Sequence, residues 1–80
     1  MAEEIKPMKT LDVRGLACPI PVTKTSQAIK DIPVGEVLEV LATDPGALMD
    51  IPAWAKSTGN EVIKILREKN LIKIYVKRLK

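Results

Sequence analysis

The sequence predicts an α/β fold of the α+β kind, a two-layer sandwich in which a mixed four-stranded sheet carries two helices on one face. Three observations lead there. Apolar residues switch between the two-residue repeat of strands and the 3.6-residue repeat of helices in the order β-α-β-α-β-β. Two helices against four strands suffice to cover one sheet face. The chain has 80 residues, enough for one domain with one modest core, since a chain this short buries only about 60% of its unfolded surface.

Residues 1–8 carry no periodic signal and are expected to form a mobile leader before a single domain over residues 9–80. Residues 9–14 alternate polar and apolar side chains, which suits a strand with Leu11 and Val13 inward. From Pro19 to about Asp31, Val22, Thr25 with Ser26, Ile29 and Ile32 recur at helical spacing. Pro33-Val34-Gly35 ends that helix, and residues 36–42 are β-prone, with Leu38 and Val40 facing the core. Strand, helix and strand make a right-handed crossover, so the first two strands are parallel, adjacent or not, and deliver helix starts to the same edge.

The second such start follows Thr43-Asp44-Pro45-Gly46, where Asp44 suits a cap. The helix spans residues 47–57, with Leu48, Ile51 and Ala55 inward and Trp54 covering core. Pro52 would break a helix interior, so Asp50 is expected to cap the regular part after a looser turn over residues 46–49. Thr58-Gly59-Asn60 supplies the stop. Residues 61–67 and 71–77 then make a hairpin around Glu68-Lys69-Asn70, with Ile63, Ile65, Ile72, Ile74 and Val76 on the core face. Parity leaves Val37, Glu39, Leu41, Val62, Lys64, Leu66, Lys73 and Tyr75 on the open face.

The stretch Arg14-Gly15-Leu16-Ala17-Cys18-Pro19-Ile20-Pro21 holds the only cysteine of a chain without histidine. Proline is favoured at the first helical position, where its missing N–H would be unpaired anyway, so Pro19 there makes Cys18 the N-cap. At that place the helix dipole and free N–H groups favour a thiolate and lower the cysteine pKa. Pro21 lies in the first turn and stiffens it. Gly15 permits a turn with positive φ, and Arg14 can add positive charge beside the sulfur. A buried structural cysteine is the plainer alternative. The position between a strand and a two-proline helix start speaks against it.

With 46% hydrophobic and 29% charged residues the composition is that of a globular domain, not a disordered one. No apolar run approaches the roughly 18 residues of a membrane span, and the acidic N-terminus lacks a signal-peptide core, so a cytoplasmic protein is expected. One cysteine forms no intramolecular disulfide and, without histidine, is a poor basis for a metal site. The formal charge of +3 is uneven: residues 60–80 hold seven Lys/Arg and two Glu, the rest six Lys/Arg and eight Asp/Glu. A basic end could attract RNA through Lys73, Lys77, Arg78 and Lys80. With Trp54 and Tyr75 as the only aromatics it lacks stacking platforms, and no direct nucleic-acid contact is expected.

Cys18-Pro19-Ile20-Pro21 resembles the Cys-Pro-x-Pro motif of the TusA/SirA-like family of small sulfur carriers. The likeness extends through Leu11-Asp12-Val13-Arg14-Gly15-Leu16-Ala17 before it. It continues in Gly35-Glu36-Val37-Leu38-Glu39-Val40, Thr43-Asp44-Pro45-Gly46-Ala47 and Asp50-Ile51-Pro52-Ala53-Trp54 after it. The resemblance implies the same β-α-β-α-β-β sandwich. It also implies a sulfurtransferase or sulfur carrier, without cofactor or metal, whose Cys18 takes sulfane sulfur from a cysteine desulfurase or rhodanese-type donor. The sulfur then passes to an acceptor protein serving tRNA thiolation, cofactor assembly or sulfur oxidation. Pro19 and Pro21 carry over as motif residues, and Arg14, Gly15, Asp44 and Pro45 as neighbours. Thiol exchange needs no histidine base, and with no second cysteine to resolve a persulfide the sulfur must leave to another molecule. A monomer meeting two successive partners is expected. The alternative is a docking or redox-regulatory module that works through the open sheet face, in which Cys18→Ser leaves partner binding untouched.

Overall fold

The computed structural model describes residues 6–17 and 19–80. Its elements are β1 (Lys9–Val13), α1 (Ile20–Ala28) with a 3-10 turn over Ile29–Asp31, β2 (Val37–Ala42), α2 (Ala47–Thr58), β3 (Glu61–Glu68) and β4 (Leu71–Lys77). The sheet order is β1-β2-β4-β3, with β1 and β2 parallel neighbours and β4 antiparallel to β2 and β3. Thus β1, β2 and β3 end at one edge, where β4 begins.

Both helices cover the face that carries Val13, Leu38, Val40, Ile72, Ile74 and Val76, against which Ala28, Ile29, Ala47, Ile51 and Ala55 pack. Full burial of each Val, Leu or Ile contributes about 1.5–3 kcal/mol. Trp54, Leu48 and Val22 close the margin of this core, partly buried. The one buried polar side chain among the described residues, Thr25, donates from Oγ1 to the Pro21 carbonyl at 2.7 Å.

Three expectations are corrected. First, α1 begins at Ile20, and Pro19 occupies the N-cap position with φ −97° and ψ 11°. The Ile20 N–H is engaged by the Ala17 carbonyl at 3.0 Å, so Pro19 belongs to a tight turn in the bridge region rather than to the helix. The cap therefore falls on Pro19 and not on Cys18, whose own placement lies outside the described residues.

Second, α2 runs unbroken through Pro52, and its N-cap position is Gly46, not Asp44 or Asp50. Its start is wound by Ala47 N–H on the Asp44 carbonyl, Leu48 N–H on that of Pro45, and Asp50 N–H on that of Gly46. Pro52 removes one N–H, the partner of the carbonyl four residues back, and the buried stripe Ala47, Ile51 and Ala55 holds the helix across that loss. Gly59, at φ 82°, ends α2 as expected, with the Asn60 N–H on the Ala55 carbonyl at 2.8 Å.

Third, β3 carries an irregularity at Ile63: Val62 lies opposite Val76, but Lys64 lies opposite Tyr75. One extra residue reverses the facing of everything before it. Val62, expected on the open face, packs on the core, while Ile63 is 38% exposed. Ile65 pairs with Ile74 on the core side yet is also 38% exposed, because β3 is the sheet edge.

The open face has its own order. Thr10, Glu39, Tyr75 and Lys64 form one row across the four strands. Glu39 accepts hydrogen bonds from Thr10 Oγ1 at 2.9 Å and from the Tyr75 hydroxyl at 2.6 Å. Tyr75 is thereby buried to 8% exposure on a face that no helix covers.

Candidate functional site

Val13 and Ala42 are register partners, so the segments after β1 and β2 leave the sheet side by side. The Leu16 N–H reaches the Val13 carbonyl at 3.2 Å and closes a tight turn whose third residue is Gly15, at φ 80°. A Cβ there would meet nothing within 4 Å. The need for glycine is therefore conformational and not steric. The Gly15 N–H donates to Thr43 Oγ1 at 2.8 Å, which ties the segment leading to Cys18 to the segment leading into α2.

Arg14 is held locally. Its backbone N–H, Nε and Nη2 donate to the Asp12 carboxylate at 3.0, 2.9 and 2.8 Å. These bonds, the side-chain ones foremost, hold the Asp12 carboxyl down at about 2 and push Arg14 further up. Arg14, expected to add charge beside the sulfur, has that charge matched by Asp12.

Asp44 shapes the turn into α2: its Oδ1 accepts the Gly46 N–H at 3.4 Å and its carbonyl that of Ala47 at 3.0 Å. At the start of α1, Pro19 and Pro21 carry no N–H and Ile20 donates to Ala17. The helix start therefore offers an anion fewer donors than the usual four. Pro21 is buried in the core, so the motif's second proline anchors the helix as well as stiffening it.

A cleft of about 330 Å³ opens at the same edge. Thr43 and Pro45 form one wall, and Arg67, Lys69, Asn70 and Ile72 of the β3–β4 hairpin form the other. The motif-based reading missed this hairpin. Its only signal was topological: a third strand parallel to the first two brings its C-terminal turn to their edge.

The sequence pattern of the family described as sulfurtransferase TusA matches residues 9–78. The sulfur carrier protein TusA of Allochromatium vinosum is 38% identical over 85% of this chain and 90% of its own length. YrkF of Bacillus subtilis (strain 168) is 46% identical over 85% of this chain, which spans only 37% of that longer protein. The crystal structure of a SirA-like protein from Desulfitobacterium hafniense shares the fold with a TM-score of 0.78 and 24% identity, covering 91% of this chain and all of the other.

Proposed function

This chain belongs to the TusA family of sulfurtransferases, and from that premise we propose that it is a sulfur carrier that accepts sulfane sulfur as a persulfide on Cys18 and relays it to an acceptor protein. The observation that carries the reading is the family match over residues 9–78 with Cys18-Pro19-Ile20-Pro21 standing inside it as the site of the only thiol.

In the first step the Cys18 thiolate attacks the outer sulfur of a donor persulfide, R–S–SH. A bond forms between Cys18 Sγ and that sulfur, the donor S–S bond breaks, and R–S⁻ leaves with the electron pair. In the second step an acceptor thiolate repeats the attack on the outer sulfur of Cys18 and restores the thiolate. Neither step needs an external oxidant or a metal. The donors that fit are a cysteine desulfurase or a rhodanese-type protein. The acceptor is a relay protein of tRNA thiolation, cofactor assembly or sulfur oxidation. Pro19 and Pro21 stiffen the approach to α1, Gly15 and Arg14 shape the turn before the thiol, and Asp44 and Pro45 shape the neighbouring turn into α2. The carrier acts as a monomer, because one thiol must meet two partners in turn.

Intact mass after incubation with a persulfide donor tests this directly. Wild type gains one sulfur atom that reductant removes, and Cys18→Ser gains none. An active donor that leaves wild type unchanged while Cys18 alkylates readily would sink the reading.

A further inference from the structure

We propose that the cleft between the β2–α2 segment and the β3–β4 hairpin seats a low-molecular-weight persulfide bearing carboxylates, and that Cys18 can be loaded directly from it. The inference rests on the carrier reading above and names a substrate class for it.

The cleft combines a net positive wall with neutral polar groups and some apolar surface. Arg67 and Lys69 stand on its hairpin wall with Glu68 between them, leaving one net positive charge. Neither cation makes a hydrogen bond or ion pair among the described residues, unlike Lys9 and Arg14, which are paired with Asp31 and Asp12. Asn70 adds an amide, Thr43 a hydroxyl, and Pro45 and Ile72 supply apolar surface. Two cations and one carboxylate beside neutral hydrogen-bonding groups leave the wall net positive, which suits an anionic ligand whose carboxylates face Arg67 and Lys69 and avoid Glu68.

Size favours a small molecule over a protein surface. A volume of about 330 Å³ lies at the lower end of small-molecule pockets, which run from about 300 to 1,000 Å³. A stable protein interface instead takes about 800 Å² of surface on each side. A tripeptide thiol fits the volume, and extended it reaches about 10 Å.

The cleft also shares a wall with the thiol's own segment. Thr43 lines the cleft and accepts the Gly15 N–H at 2.8 Å. Cys18 follows Gly15 by three peptide steps, which span at most about 11 Å. The cleft and the turn that precedes the thiol thus meet at one residue, Thr43. Transfer is the balanced exchange already given: Cys18 Sγ bonds to the outer sulfur and the small thiolate leaves.

The test compares glutathione persulfide, which carries two carboxylates, with cysteamine persulfide, which carries none and bears an ammonium group, as donors to the whole chain. Loading of Cys18 is followed by intact mass. Wild type is expected to load faster from glutathione persulfide, and Arg67→Gln/Lys69→Gln to lose about tenfold of that preference. Added salt should erode it in wild type. In parallel, S-methylglutathione, which cannot transfer sulfur, is expected to shift the amide NMR signals of Thr43 and of residues 67–72. Equal loading from both persulfides with no shift in these amides overturns the cleft proposal and leaves the carrier reading intact. Amide shifts without loading from either persulfide overturn the carrier reading and, with it, delivery to Cys18. A double variant that is slowed only with a persulfidated donor protein would assign the cleft to a protein partner and overturn the small-molecule proposal.

Discussion

The backbone N–H of Gly15 donates a 2.8 Å hydrogen bond to Oγ1 of Thr43, joining two segments that lie 28 residues apart in sequence. Through this bond the turn that precedes Cys18 is positioned by β2 as well as by β1. Thr43→Val keeps the β-branched shape and removes the acceptor. It is expected to lower stability by about 1 kcal/mol in urea denaturation and to slow persulfide loading of Cys18. Unchanged loading would show that the bond is structural only.

Gly15 itself tests the conformational argument. With open space around the missing Cβ, Gly15→Ala pays only for the left-handed backbone, about 1 kcal/mol. Gly15→Asn, which tolerates that region better, is expected to recover part of the loss.

Tyr75 is the only tyrosine, so alkaline absorbance titration reports on it alone. Its hydrogen bond to Glu39, with burial and the Glu39 and Glu68 charges adding to it, raises its pKa from about 10 to about 12. The folded state therefore holds this proton more tightly than the unfolded chain. The resulting stability is fully present below pH 10 and is lost as pH rises through about 12. Glu39→Gln should bring the titration midpoint back toward 10. A midpoint unmoved by that change would remove Glu39 as the main cause.

Asp12 titrates in the opposite direction. Arg14 holds its carboxyl at about 2, so any stability from the pair is present above the ordinary carboxylate range and is lost as pH falls toward 2. Both side chains are about half exposed, and the effect on stability is small. NMR titration of the Asp12 carboxyl should show a midpoint near 2 that climbs toward about 4 in Arg14→Gln.

The irregularity at Ile63 makes neighbouring residues unequal. Val62→Thr sets a hydroxyl against the core and is expected to cost about 1–2 kcal/mol. Ile63→Thr, at a position 38% exposed, should stay within about 0.5 kcal/mol. A larger loss at Ile63 than at Val62 would mean that β3 pairs without the extra residue.

Much of this protein was legible in its sequence because the signals were local. Alternation placed Leu38 and Val40 inside, helical spacing placed Ile51 and Ala55, and Gly59 marked a helix end, each through residues within a few positions of one another. The Cys-Pro-x-Pro motif and the family it belongs to were equally plain, being carried by residue identity and order alone. Tertiary structure decided the rest. Strand parity has no way to register an extra residue that exists only relative to a partner strand, so Val62 and Ile63 exchanged roles. Charge counting near Cys18 did not show that Arg14 closes back on Asp12. No local pattern brings Thr43 to Gly15, or Arg67 and Lys69 to Pro45. Those meetings follow from the order β1-β2-β4-β3, which inserts β4 between two parallel strands and carries three distant turns to a single edge.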